Sequence, residues 1–216
     1  IAALNDAFAA LKAAGATELV LDVRYNGGGF VDVAVHLASL IGGTPTPGQV
    51  MLNYVHNDRV GPILNKQTRF ADAPAQSLNL QRLFVITTRA SASASELIIN
   101  SLRPFIPVVV VGDTTYGKPV GQYVLEFCDK VLALVAFSLK NANGEADYFD
   151  GLPPTCRAGD DLDHQLGDPP EASLQEAFVY IDTGACSAAG LRTLRQRPLD
   201  VPRPVTGGWQ LLLGAR

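Results

Sequence analysis

Short apolar runs alternate with helix-length amphipathic segments along this chain, and that alternation predicts an α/β fold with mostly buried strands. Two runs carry the prediction. Arg82 to Thr88 and Val108 to Val111 show no polar alternation, as expected of strands covered on both faces. A third observation is compositional: 216 residues, 47% of them hydrophobic and only 18% charged, are enough for one well-packed core and argue against disorder.

Ile1, Leu4, Phe8 and Leu11 form the apolar stripe of a first helix that ends near Gly15. Glu18 to Val23 reads as a short strand, broken by Asn26, Gly27, Gly28 and Gly29, and a second helix runs from Val31 to Ile41. The Gly/Pro/Thr stretch from Gly42 to Gly48 is a loop before a strand from Val50 to Val55. A polar, irregular stretch to Asn79 precedes the Arg82 to Thr88 strand. Ser93 to Leu102 is then a helix and Val108 to Val111 a strand. Gln122 to Phe127 and Val131 to Leu139 form two strands able to pair around Cys128, Asp129 and Lys130. Past Asp150 the chain turns Pro-rich and acidic; Asp160, Asp161, Asp163 and Asp168 read as a solvated loop without a metal role, and a helix follows from Glu171 to Asp182. Residues 186–216 are expected to pack on the core as a C-terminal tail. With no internal repeat, residues 1–216 read as a single domain.

A net charge of −4 supplies no basic stripe for nucleic acid, and no segment has the uninterrupted apolar length that crosses a bilayer. The three cysteines, Cys128, Cys156 and Cys186, contain no C-x-x-C pair, which disfavours structural zinc. One disulfide with one free thiol and three reduced cysteines both remain open. Ile1 opens directly on an apolar helix, so the chain is expected to begin inside a larger precursor or to be trimmed, with any targeting segment upstream. The sequence is silent on oligomeric state.

Catalytic chemistry concentrates in two stretches, Ser91-Ala92-Ser93-Ala94-Ser95-Glu96 and Thr115-Tyr116-Gly117-Lys118-Pro119. A hydroxyl nucleophile needs a base, and His36, His56 and His164 lie in no triad context, which leaves a lysine as the economical alternative. Ser93 sits where a strand gives way to a helix whose first N–H groups lack internal partners, so the N–H of Ala94 points at charge developing beside the serine oxygen. Ser93-x-x-Glu96 also reads as a capping box, a purely structural device. A free lysine, with a pKa of about 10.4, must be desolvated to act as a base, and the apolar neighbours Val108 to Val111 and Val120 offer that setting. Gln122, four residues on in an extended segment, shares a face with Lys118 and offers a neutral amide to orient the amine. Gly112 to Lys118 mimics a phosphate loop, but Pro119 replaces the magnesium-binding hydroxyl and strand-like residues follow where a helix is required.

Several motifs together resemble the carboxy-terminal processing, or tail-specific, serine peptidases over residues 1 to 155. They are Leu21-Asp22-Val23-Arg24-Tyr25-Asn26-Gly27-Gly28-Gly29, then Ala92-Ser93-Ala94-Ser95-Glu96, then Gly117-Lys118 with Gln122, and more weakly Tyr148-Phe149-Asp150-Gly151-Leu152-Pro153. The resemblance implies a crotonase/Clp-protease-like spiral of strand-strand-helix units. It singles out Ser93, rather than Ser91 or Ser95, as nucleophile, Lys118 as base and Gln122 as its orienter. Ala94 and Gly28 become the oxyanion donors, with Gly29 as competitor to Gly28, and Glu96 a supporting residue. Asp22 and Arg24 become architectural. It also implies a peptide or protein substrate, no metal or organic cofactor, and a periplasmic, secreted or cell-envelope location, which favours the disulfide reading of the cysteines. Family peptidases often carry a PDZ-type domain, and no such segment is present within these 216 residues. Gly27 stands where the family often has proline, and Pro119 where it commonly has glycine. The rival readings are a non-catalytic module on the same core that binds peptides or apolar ligands, and a crotonase-like enzyme acting on a thioester.

Overall fold

The computed structural model describes residues 1–72 and 74–189. Five helices and eight strands are assigned among them: α1 (Ala2–Ala13), β1 (Val20–Asp22), α2 (Val31–Gly42), β2 (Val50–Val55), α3 (Gly61–Leu64), β3 (Lys66–Arg69), β4 (Leu83–Thr87), α4 (Ala94–Leu102), β5 (Val108–Gly112), β6 (Val120–Phe127), β7 (Lys130–Lys140), β8 (Cys156–Arg157) and α5 (Ala172–Thr183). The strands form two four-stranded sheets, β1-β4-β5-β8 and β3-β2-β7-β6. The first is wholly parallel and the second antiparallel. The expected α/β class holds, and the strand-strand-helix succession occurs at β3–β4–α4 and at β7–β8–α5.

The parallel sheet explains the unbroken apolar runs. Period-two alternation sends Leu83, Val85 and Val110 to one face, where they join the main core with Leu40 and Ile41 of α2 and Leu97 and Ile99 of α4. Phe84, Val109 and Val111 point the other way, against Ala177, Tyr180 and Ile181 of α5. Helices on both faces leave every residue of β4 buried, and its one polar residue, Thr87 at the C-terminal end, donates its hydroxyl to Asp113 O at 2.6 Å.

Two short strands lie where the sequence reads as irregular. β3, Lys-Gln-Thr-Arg, is an edge strand against β2 whose polar side chains are mostly exposed, and β8 is a two-residue parallel pairing with β5. Neither carries a hydrophobic period. Helix α3 is a single turn in the same polar stretch. Of the expected tail, residues 190–216 lie outside the described residues. No described helix is long and apolar enough to cross a membrane.

Cys156 and Cys186 form a disulfide across a separation of 30 residues, and Cys128 is free and exposed at the β6–β7 turn. The bridge ties β8 to the segment just after α5. In the chain-entropy view, closing a loop of this size stabilises by about 3–4 kcal/mol. Replacing both residues in a Cys156→Ser/Cys186→Ser variant should therefore lower the free energy of unfolding by about that amount in a urea titration. An unchanged unfolding midpoint would contradict this.

Candidate active site

Sheet order places the chemistry. β1, β4 and β5 run parallel and adjacent, so the loops leaving their C-terminal ends lie side by side, where open α/β sheets bind ligands. The β1 loop carries the three glycines, the β4 loop carries Ser93, and the β5 loop carries Lys118. The Ser93 turn is thus flanked by the glycine turn on one side and the lysine loop on the other. Backbone bonds knit the three together: Ala92 N–H donates to Asn26 O at 3.1 Å, and Tyr116 N–H donates to Ser91 O at 2.9 Å.

Ser93 is the N-cap of α4 and adopts φ 55° and ψ −112°. A positive φ at a residue with a Cβ is strained, costing about 1–3 kcal/mol, and here it occurs at a sharp strand-to-helix turn. The neighbouring serines are otherwise occupied. Ser91 is fully buried and its Oγ donates to Val23 O at 2.6 Å, while Ser95 is buried and its Oγ donates to Asn26 O at 2.9 Å. Ser93 alone of the three lines a cavity of about 150 Å³ shared with Gly29, Ala94, Lys118 and Gln122. Its remaining wall is mostly apolar, including Phe30, Leu97, Val124, Phe137 and Tyr148.

Lys118 precedes β6, and its Nζ donates to Gln122 Oε1 at 3.0 Å. Gln122 Nε2 in turn donates to Ala133 O on β7 at 3.1 Å, which fixes the amide across the hairpin. A shift in the β6–β7 register between Gly121 and Gln122 re-aims the strand at this point. Burial pushes the Lys118 ammonium below the usual lysine range, against the nearby charge of Glu96, which acts to raise it. The amine's partner is a neutral amide, so orientation comes without a paired carboxylate. Past Lys118 the chain enters β6 rather than a helix, which removes the phosphate-loop reading.

Glu96 joins the serine and lysine loops. It is fully buried, and all four of its contacts are donors: Thr115 Oγ1 at 2.5 Å and Gly117 N at 2.6 Å to Oε1, Ser93 N and Lys118 N each at 2.8 Å to Oε2. The capping-box arm from Glu96 to the Ser93 backbone is therefore present, and the same carboxylate also holds the lysine loop. Thr115 extends the clamp: its hydroxyl accepts from Leu152 N at 2.7 Å, and Arg89 Nη1 donates to Thr115 O at 2.7 Å and Asp150 O at 3.0 Å. The weak Tyr148 to Pro153 motif thereby becomes the outer support of the lysine loop.

At the glycine turn, a Cβ on Gly28, whose φ is +126°, would lie 2.8 Å from Ser93 Cβ. Only glycine fits so close to the serine. The Gly28 N–H donates to Asn26 Oδ1 at 2.9 Å, while Gly29 lines the cavity. Asn26 and Thr115 lie within the sequence motifs without a role read for them, and Arg89 lies outside them, because the partners of all three are on loops distant in sequence. Asp22 and Arg24 form a bidentate pair, with Arg24 Nη2 to Asp22 Oδ2 at 2.7 Å.

The sulfur atoms of Cys156 and Cys186 and a carboxylate oxygen of Glu176 lie within 4.8 Å of one another, but the disulfide leaves neither sulfur as a thiolate for a metal. Glu96→Gln tests the clamp. Each carboxylate oxygen faces two donors, so an amide must turn its NH₂ against one pair. The variant should lose about 2–3 kcal/mol of stability in chemical denaturation, and a loss under about 0.5 kcal/mol would show the clamp to be unimportant.

A family model described as peptidase family S41 matches residues 2–157. The C-terminal processing peptidase of the Tetradesmus obliquus chloroplast is 29% identical over 128 residues, covering 59% of this chain and 25% of that protein. The carboxy-terminal processing protease CtpA of Bacillus subtilis is 25% identical over 156 residues, covering 72% and 31%. The chain thus spans less than a third of either curated relative. Among solved structures, a Bacteroides fragilis protein assigned as an S41 protease superposes with a TM-score of 0.76 at 30% identity, covering 84% of this chain and 48% of that one. The photosystem II D1 C-terminal processing protease gives a TM-score of 0.54 at 27% identity, covering 71% and 37%. The matched span contains the glycine turn, Ser93, Glu96, Lys118 and Gln122, and on that match the chain belongs to peptidase family S41.

Proposed function

We propose that this chain is the catalytic core of a serine endopeptidase that cuts peptide bonds near the C-termini of proteins, using Ser93 and Lys118. The observation that carries the reading is the shared cavity: the one serine of the turn that faces it, a half-buried lysine of lowered pKa, and the neutral amide that holds that lysine. The names of the relatives support the tail preference.

Ser93 Oγ attacks the scissile carbonyl carbon while neutral Lys118 Nζ takes the hydroxyl proton. The negative charge on the carbonyl oxygen is met by the Ala94 N–H at the start of α4 and by a second donor from the glycine turn. Gly28 can serve only by releasing Asn26 Oδ1, whereas Gly29 already lines the cavity. Collapse of the intermediate breaks the C–N bond, and Lys118 returns the proton to the leaving amine. Water then attacks the acyl-serine by the same route. Gln122 orients Lys118 and Glu96 holds both loops in register. β6 is the edge of its sheet, and Val120, Gln122 and Val124 face the cavity, so an extended peptide added along that edge would pass the serine. The Cys156–Cys186 disulfide supports a location in an oxidising compartment such as the cell envelope. A purely binding role on the same core leaves the lowered lysine pKa and the strained serine without a purpose.

Ser93→Ala should abolish cleavage of a tail peptide, by about 10³-fold or more, with the fold retained. Ser91→Ala and Ser95→Ala should cost only a few-fold, through loosening of the turn. Parent-like turnover by Ser93→Ala would refute the assignment. The pH dependence has a definite sign: activity is low where Lys118 is protonated, rises as pH passes its lowered pKa, and levels off above it. Lys118→Arg, which cannot deprotonate, should be inactive across that range. A flat pH–rate profile together with an active Lys118→Arg enzyme would refute the base.

A further inference from the structure

Glu171 lies outside the 2–157 span matched by the family, yet it reaches Arg24 in the loop that carries the glycine turn. It is the N-cap of α5, and its carboxylate accepts from Ser173 N at 3.2 Å and Leu174 N at 2.9 Å. The same carboxylate accepts from Arg24 Nη1 at 2.7 Å, with both side chains almost wholly inaccessible to solvent. Capping alone does not call for this residue. Ser, Thr, Asp and Asn are the favoured N-caps, and the extra reach of glutamate is what brings a charge to Arg24. Around the guanidinium, Asp22 and, at 3.7 Å, Asp160 are partly exposed, so among the described residues Glu171 is its one fully buried counter-charge.

What Arg24 holds is the bracket behind the nucleophile. Its carbonyl accepts the hydroxyls of Thr88 and Ser91, and two residues on, the Asn26 carbonyl accepts Ala92 N and Ser95 Oγ. Main chain 24–26 therefore lies between an ion pair buried against α5 and the turn that presents Ser93. We propose that Glu171 is a positioning residue: through Arg24 it fixes the glycine turn against the nucleophile turn, making α5 part of the reactive apparatus. The kinetic side of this inference rests on the peptidase reading above, whereas its structural side does not.

Glu171→Gln removes the buried counter-charge while keeping the side-chain volume, and Asp22 still pairs with Arg24. Either orientation of the amide sets its NH₂ against a present donor, Leu174 N on one side or Arg24 Nη1 and Ser173 N on the other, so the readout is taken at the turn rather than from stability alone. Amide hydrogen exchange of residues 24–29 and 91–95 should accelerate by about tenfold or more in the variant, with β5 (108–112) unchanged. Phosphonate modification of Ser93, scaled to folded protein, should slow by about ten- to a hundredfold, while KM for a tail peptide moves less than twofold. Glu171→Asp, which keeps the charge but withdraws it by one methylene, should fall between parent and Glu171→Gln in both measurements. If Glu171→Gln fails to fold, Glu171→Asp decides: faster exchange at 24–29 supports the proposal, and parent-like exchange overturns it. Parent-like exchange in folded Glu171→Gln overturns it equally. A parent protein that never reacts with the phosphonate refutes the peptidase reading, and the exchange measurement still decides whether Glu171 positions the turn.

Discussion

A single buried carboxylate, that of Glu96, sets the relation between the loops of Ser93 and Lys118. Backbone N–H groups from both the serine and the lysine loops converge on it, and neither loop is regular structure that would hold its own shape. An ionised group removed from water is tolerated only when its lone pairs are filled, and here four donors fill them. Ser93 and Lys118 meet the clamp through their main-chain N–H groups, so it fixes their positions without engaging the serine hydroxyl or the lysine amine. It also has an electrostatic consequence: the charge of Glu96 favours the protonated lysine, so burial has to outweigh it, and it does.

The parallel sheet makes that clamp possible. With β4 between β1 and β5, the serine turn has one neighbouring loop on each side, the glycine turn and the lysine loop. Crowding is the cost of such proximity. Gly28 sits where any Cβ would press on Ser93, and Ser93 itself holds a backbone conformation that a residue with a side chain rarely adopts. The buried hydroxyls of Ser91 and Ser95 spend their hydrogen bonds on the Val23 and Asn26 carbonyls, converting two look-alike serines into the scaffold of the third.

Local signals made most of the fold legible. Helices α1, α2, α4 and α5 and strands β2, β4, β5, β6 and β7 follow from apolar periodicity and from Gly and Pro punctuation, with ends shifted by a residue or two. β3 and β8 carry no such signal, because one is a polar edge and the other a two-residue pairing imposed by its neighbour. The Cys156–Cys186 pairing was equally hidden, since three cysteines admit several connectivities. At the site, Glu96, Lys118 and Gln122 are candidates from the residues themselves, and the family resemblance singles out Ser93 over Ser91 and Ser95. The roles of Asn26, Thr115, Arg89 and Glu171 are not legible there. Each acts on a loop far away in sequence, so its contribution exists only once the sheet has brought those loops together.

The proposed chemistry requires Ser93 to be the reactive hydroxyl of this cavity. The most direct measurement is to treat the folded protein with a serine-directed phosphonate and locate the adduct by peptide mass spectrometry. A single adduct on Ser93, formed faster as pH rises and absent once the protein is unfolded, is the predicted result. An adduct on Ser91 or Ser95, or no adduct under conditions where the fold is intact, would contradict it.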